Sequence, residues 1–248
     1  MRRLSSFLVL AVAATACSDM PTEAGPDAPV AEARTGPSGH AEYEIAVENL
    51  TSGQPFTPPA VAIHRPAISL FEVGEPASEA VQQIAENGNL DPAVEVLSNS
   101  VHVSDFGAAF GPTVPPLLPG ETTRITLVSE RGAKLVSFVA MLVCTNDGFT
   151  GIDDVRLPEE VGESIMLYTD GYDAGTEINT EDFADIVPPC QSLVGVTSED
   201  PGTGMSNPAL AEGGVITHHP GISGGNDLVP GVHGWTDPVA RVTITRVN

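Results

Sequence analysis

Hydrophobic and polar positions alternate with a period of two in several separate stretches of the chain. In EYEIAVENL, Tyr43, Ile45 and Val47 share one face, and in TRITLV Ile125 and Leu127 do the same. That period is the mark of a strand half-buried against a core. ESIMLY (163–168) and PVARVTITRV (238–247) extend the set, the second with Ala240, Val242 and Ile244 in line. KLVSFVAMLVC, residues 134–144, is apolar at both parities, as expected of a central strand covered on both faces. Gly and Pro punctuate the intervals, and the whole set predicts an all-β protein, an antiparallel β-sandwich. One segment has a different period: EPASEAVQQIAENGN brings Ala77, Ala80, Val81, Ile84 and Ala85 onto one helical face. Pro76 suits its first turn and Gly88 its stop. A second short helix is expected to open at Asp91-Pro92 with Asp91 as its cap. One or two such helices are expected to cover an end or edge of the sheets.

The first residues, MRRLSSFLVLAVAATAC, read differently: two arginines, a short apolar run, then small residues up to Cys17. This is the pattern of an export signal, and the run is too short to span a bilayer. Ala14, Thr15 and Ala16 before Cys17 resemble a bacterial lipobox, in which the cysteine is lipid-modified and becomes the new N-terminus. Residues 1–17 are thus expected to be a signal with a lipobox, and the Pro/Ala/Gly/Glu-rich residues 18–41 a disordered tether. Residues 42–248 remain as one folded domain. The expected location is the cell envelope, at the outer membrane or cell surface, with the lipid as the only membrane attachment. Setting Cys17 aside leaves Cys144 and Cys190 as an even pair in a compartment that permits a disulfide, or as two buried thiols.

The chain has 10 basic and 33 acidic residues, a formal net charge of −23, and cleavage would remove Arg2 and Arg3 as well. Neutralising phosphates takes clustered Lys and Arg, so nucleic acid is excluded as a partner. Cations or basic partner surfaces are favoured. The acidic residues gather in YDAGTEINTED, where Asp173, Glu177, Glu181 and Asp182 surround Gly175. Counted from Asp170, this stretch places Asp, Gly and Glu at positions one, six and twelve of an EF-hand loop. Tyr172 and Ala174 fail at positions three and five, and the preceding residues are strand-like, so an EF-hand is rejected. A tight turn flanked by Asp173 and Glu177 remains. Calcium takes six to eight oxygens, so such a turn needs a second loop, and TNDGFTGIDD (145–154) after the central strand is the natural one.

FTPPAVAIHR, LFEVGEPASEAVQQIAENG, TNDGF, YDAGTE and PVARVTITRV, in this order, resemble the spondin N-terminal domain family over about residues 42–247. The resemblance implies a β-sandwich with calcium bound at one end and a role in adhesion or extracellular recognition. Animal members carry Ser-Pro-Asp-Trp-Phe where this chain has Thr145-Asn146-Asp147-Gly148-Phe149, and Asp-Ala-Gly-Thr-Asp where it has Asp173-Ala174-Gly175-Thr176-Glu177. The metal ligands implied are therefore Asp147, Asp173 and Glu177, with Asp153 as a supporting neighbour. The expected ligand of the whole is an extracellular protein or carbohydrate, bound by a monomer.

The same carboxylates could do general acid and base work in an extracytoplasmic hydrolase. The chain offers no Gly-x-Ser-x-Gly elbow and no His-Glu-x-x-His helix, and a non-enzyme is expected. His218 and His219 are adjacent on an extended segment, so they point to opposite faces and make an awkward metal pair. His64, in the alternating AVAIH, suits a buried hydrogen-bonded role, His233 a loop, and Trp235 packing.

Overall fold

The computed structural model describes residues 39–248. The expected export signal, lipid-modified Cys17 and tether up to residue 38 lie outside the described residues. The first strand, β1 (His40–Asn49), opens two residues before the expected domain start. It is followed by β2 (Ala60–His64), helices α1 (Glu79–Asn87) and α2 (Asp91–Asn99), then β3 (Val103–Ala108) and β4 (Thr122–Glu130). Next come β5 (Leu135–Met141), β6 (Gly148–Arg156), β7 (Ser164–Thr169) and β8 (Gly171–Asp173). Short helices α3 (Pro189–Val194) and α4 (Pro230–His233) flank β9 (Thr217–His218), and β10 (Ala240–Arg246) closes the chain.

The strands form two antiparallel sheets, ordered β4-β1-β10-β7 and β3-β2-β5-β6-β8-β9, and the protein is the all-β sandwich its alternating stretches call for. Tyr43, Ile45 and Val47 of β1 and Val242 and Ile244 of β10 face the second sheet, where they meet Val136, Phe138 and Ala140 of β5. The other parity of β5 explains its unbroken apolar run: Val139 and Met141 turn outward and pack under Val81, Ile84 and Ala85 of α1. The helix thus covers the outer face of the six-stranded sheet rather than an end or edge. It begins at Glu79, with Ser78 capping Val81 N–H at 3.3 Å, and stops at Gly88, whose φ of 63° takes the left-handed conformation. Pro76 precedes the helix. Asp91 sits inside the first turn of α2 instead of capping it: the cap position falls on Leu90, which has no side-chain cap bond, and Asn89 Oδ1 accepts from Asp91 N–H at 3.0 Å.

His64 is buried as expected, with Nδ1 at 3.1 Å from the Arg65 carbonyl and Nε2 at 2.8 Å from Ser137 Oγ. Ser137 also accepts from Asp154 N–H at 2.9 Å. These bonds pin a bulge in β6 opposite Val136 and Phe138, where Asp154 has a φ of 55°.

Candidate metal centre

Two loops are brought together by one short strand pairing. β5 continues through Leu142–Cys144 into the turn Thr145-Asn146-Asp147, which closes when Thr145 Oγ donates to the Leu142 carbonyl at 2.6 Å and accepts from Gly148 N–H at 2.9 Å. A Cβ on Gly148 would stand 2.5 Å from that hydroxyl, so only glycine fits. The other loop leaves β8, which pairs with β6 so that Gly148 lies opposite Asp173. The Asp147 carbonyl extends the pairing by accepting from Ala174 N–H at 3.1 Å. The acidic turn does not follow β7 directly. The chain first crosses from one sheet to the other at Asp170-Gly171, a switch that the strand-like run 163–168 does not reveal.

Asp147 is fully buried. Its Oδ2 accepts from Thr176 N–H (2.7 Å), Glu177 N–H (3.0 Å) and Thr176 Oγ (3.2 Å), while its Oδ1 has no partner. Burial and then the neighbouring Asp173 charge push its carboxyl up to about 6, outweighing the backbone donors that pull it down. Asp173 is buried, with Oδ1 on Gly175 N–H at 2.8 Å and Oδ2 on Asn179 Nδ2 at 2.6 Å. Gly175 takes a φ of 67°, and a Cβ there would meet the Val215 carbonyl at 2.6 Å. Glu177, also buried, reaches away from the other two and accepts from Asn207 N–H at 2.6 Å. Burial pushes it up to about 7; the Asn207 bond opposes this, and the charges of Glu86, Asp147 and Asp185 add to it.

The structure does not gather the ligand atoms of Asp147, Asp173 and Glu177 into a three-residue cluster, as it does those of His64, Asp153 and Asp154; the three are buried carboxylates with no cationic side chain bonded to them. None of the ion pairs among the described residues involves them. It adds Glu86 of α1, buried with one carboxylate oxygen unpartnered, which helical periodicity assigns to a polar face and so conceals. Asp153 stands apart. Six residues along β6 from Asp147, its carboxylate is occupied by Ser69 Oγ (2.5 Å) and Leu70 N–H (2.8 Å), which corrects its expected place beside the metal. The other two acids of the opening stretch hold backbone. Glu181 accepts from Ser223, Gly224 and Gly225 N–H at 2.5 to 2.8 Å, and Asp182 caps the turn Phe183–Asp185 through Ala184 N–H at 2.9 Å.

Cys144 and Cys190 form a disulfide, with their Cα atoms 5.1 Å apart, that ties the end of the β5 run beside Asp147 to α3. The adjacent histidines do point opposite ways: His218 is exposed with Nδ1 3.7 Å from Asp170, whereas His219 is buried against Trp235. His219 Nδ1 accepts from Gly221 N–H at 3.0 Å and His233 Nδ1 from Val229 N–H at 2.9 Å. Each ring then carries its proton on Nε2 and has no free lone pair for a metal. Burial lowers the pKa of both, in agreement with neutral rings.

Carboxylate oxygens are the donor type that a hard cation takes. Burial holds Asp147 and Glu177 above the usual carboxylate range, and one oxygen of Asp147 has no partner. No helix among the described residues is long and apolar enough to cross a membrane. The Spondin_N family model matches residues 50–191, a span that holds both loops and both cysteines. Spondin-2 of Homo sapiens is 27% identical over 212 residues, covering 78% of this chain and 55% of that protein. The chain spans about half the length of this curated relative.

Proposed function

Because the chain belongs to the Spondin_N family, we propose that it is a calcium-binding recognition module of adhesion type, working outside the cytoplasm and tethered by a lipid on Cys17. The observation that carries the calcium reading is the fully buried Asp147, whose Oδ1 lacks a partner while its carboxyl is pushed up to about 6. A buried carboxylate of this kind either takes up a proton or meets a cation. Asp147, Asp173 and Glu177 would hold the ion. Calcium would supply the positive charge that lets all three stay ionised, joining the Thr145–Asp147 turn to the Ala174–Glu177 turn. The ligand recognised is a protein or a carbohydrate. A hydrolytic role is disfavoured because Asp147, one member of any acid–base pair here, is closed to water and substrate.

Thermal melting in chelator, calcium and magnesium tests the calcium reading. For a dissociation constant of order 10 μM, calcium at about 1 mM adds roughly 2.7 kcal/mol. This corresponds to a rise of roughly 5–10 °C in a domain of this size. Magnesium should raise it less, since it demands six short contacts and sheds water reluctantly. Asp147→Asn should lose most of the calcium response, and Glu199→Gln, an exposed control, none of it. Equal melting of the wild type in all three conditions would overturn the reading. Binding to arrays of glycans and envelope proteins, with and without chelator, tests recognition.

A further inference from the structure

Edge strands expose unpaired N–H and C=O groups, and proteins normally guard them. Here β3 and β4 guard each other: Ser104 Oγ donates to the Val128 carbonyl at 2.9 Å and accepts from Glu130 N–H at 2.7 Å, while Asp105 accepts from Val128 N–H at 2.8 Å. β9 has only two residues. The part of β6 beyond its pairing with β8 carries the bulge together with Asp153, Asp154 and Arg156. β7 has none of these devices. It ends the four-stranded sheet, paired only with β10, and its sequence SIMLYT contains no charge, proline or glycine in a chain with 33 acidic residues.

The direction of its backbone groups follows from the register. Arg246 N–H donates to the Glu163 carbonyl at 3.0 Å, and Ile165 and Leu167 lie opposite Ile244 and Val242. Antiparallel pairs alternate between bonded and non-bonded, so Ile165 and Leu167 bond to β10 while Ser164, Met166 and Tyr168 aim their N–H and C=O groups outward. The side chains of Met166 and Tyr168 are 58% and 54% exposed on the outer sheet face beside that edge.

We propose that the outer edge of β7 receives an extended segment of a partner protein, which adds a fifth strand to this sheet. Backbone bonds to Ser164, Met166 and Tyr168 give affinity, and apolar contact with Met166 and Tyr168 selects an uncharged centre. Charge sets the rest of the partner. At one end of β7 Glu159 is paired with Arg156 at 3.5 Å and Arg246 is turned to the Glu159 carbonyl, which leaves Glu160 and Glu163 as the acids there; Asp170 stands at the other end, 3.7 Å from His218, so the segment carries Lys or Arg at both flanks. A second copy is the poorer occupant, since antiparallel pairing of β7 with itself brings the Glu163 end of one copy beside the Asp170 end of the other, acid near acid, and β7 itself has no basic residue.

The probe is a synthetic peptide with an alternating threonine–valine centre and lysines at each end, titrated against the folded protein in calcium and in chelator. Binding is expected in both, because the edge lies outside the calcium loops. A peptide with glutamates at the ends should bind about tenfold more weakly or not at all, and added salt should weaken the lysine peptide. Met166→Pro removes one outward N–H while sparing the bonds to β10, and should weaken binding about tenfold. Amide exchange on the wild type supplies a readout independent of that variant's folding: the peptide should slow exchange at Met166 and Tyr168, with Ile165 and Leu167 already slow without it. Absence of binding, or binding without protection at Met166 and Tyr168, would overturn the proposal. Concentration-dependent dimers of the free protein that protect the same amides would overturn it in favour of a second copy.

Discussion

Under the proposed calcium reading, a single side chain, Asp147, couples cation, proton and fold. Without calcium, folded Asp147 keeps its proton up to about pH 6 and Glu177 up to about pH 7, whereas the unfolded groups release theirs near 3.8 and 4.5. Between these values the folded state binds more protons than the unfolded one. In chelator the contribution of these groups to stability is therefore present at the acid end and lost as pH rises from about 4 to about 7. For Asp147 alone the loss is on the order of 3 kcal/mol. In calcium the slope should reverse, since protons compete with the ion for the same oxygens. Melting temperature against pH in the two media checks this, and Asp147→Asn should reduce the slope of both curves, leaving in chelator the part due to Glu177. Glu181 behaves in the opposite sense. Burial raises it, but N–H donors from Ser223, Gly225 and Gly224, with the Ser223 hydroxyl, outweigh burial and hold it below its usual range. Its contribution is present above about pH 4.5 and disappears as pH falls through the lowered value. Glu181→Gln should cost about 1–3 kcal/mol by denaturant unfolding at neutral pH while leaving the calcium response intact.

Among the elements, the Cys144–Cys190 bridge joins the run that follows β5 to the six-residue helix α3. It closes a 46-residue separation that contains β6, β7, β8 and the whole acidic turn. Chain entropy for a loop of that size gives about 4 kcal/mol as an upper estimate. Replacing both cysteines with alanine should lower the melting temperature by roughly 10 °C. Because Cys144 directly precedes the Thr145–Asp147 turn, the same variant should also weaken calcium binding, which calorimetric titration would show. An unchanged calcium affinity would mean that the Thr145 and Gly148 bonds hold the turn unaided.

For the whole molecule, a net charge of −23 favours cations and basic segments over nucleic acid or anionic membrane surfaces. Under the proposed tether, membrane attachment depends on Cys17. The precursor with Cys17→Ser is expected to leave the detergent phase in a phase-separation experiment and to partition into water. Wild-type protein already in the aqueous phase would overturn the tether.

Much of this protein is written in its local pattern. Alternation at Tyr43, Ile45 and Val47, the double-sided apolar run of β5 and the 3.6-residue spacing of α1 are short-range signals, each fixed by which face must leave water. Matching loop patterns likewise single out Asp147, Asp173 and Glu177 in the sequence. Tertiary structure alone decided what those signals leave open. A carboxylate reads the same in sequence whether it faces a cation or a row of backbone N–H groups. Only the fold separates Asp147, with an oxygen unpartnered, from Glu181, saturated by the residue 223–225 amides, and from Asp153, engaged with Ser69 and Leu70. Strand order is equally silent. SIMLYT has the pattern of a paired strand, but the crossing at Asp170-Gly171 left β7 at a sheet border and gave the pairing with β6 to the three residues of β8. Pairing depends on contacts between distant parts of the chain, and periodicity reports only the face that each residue takes.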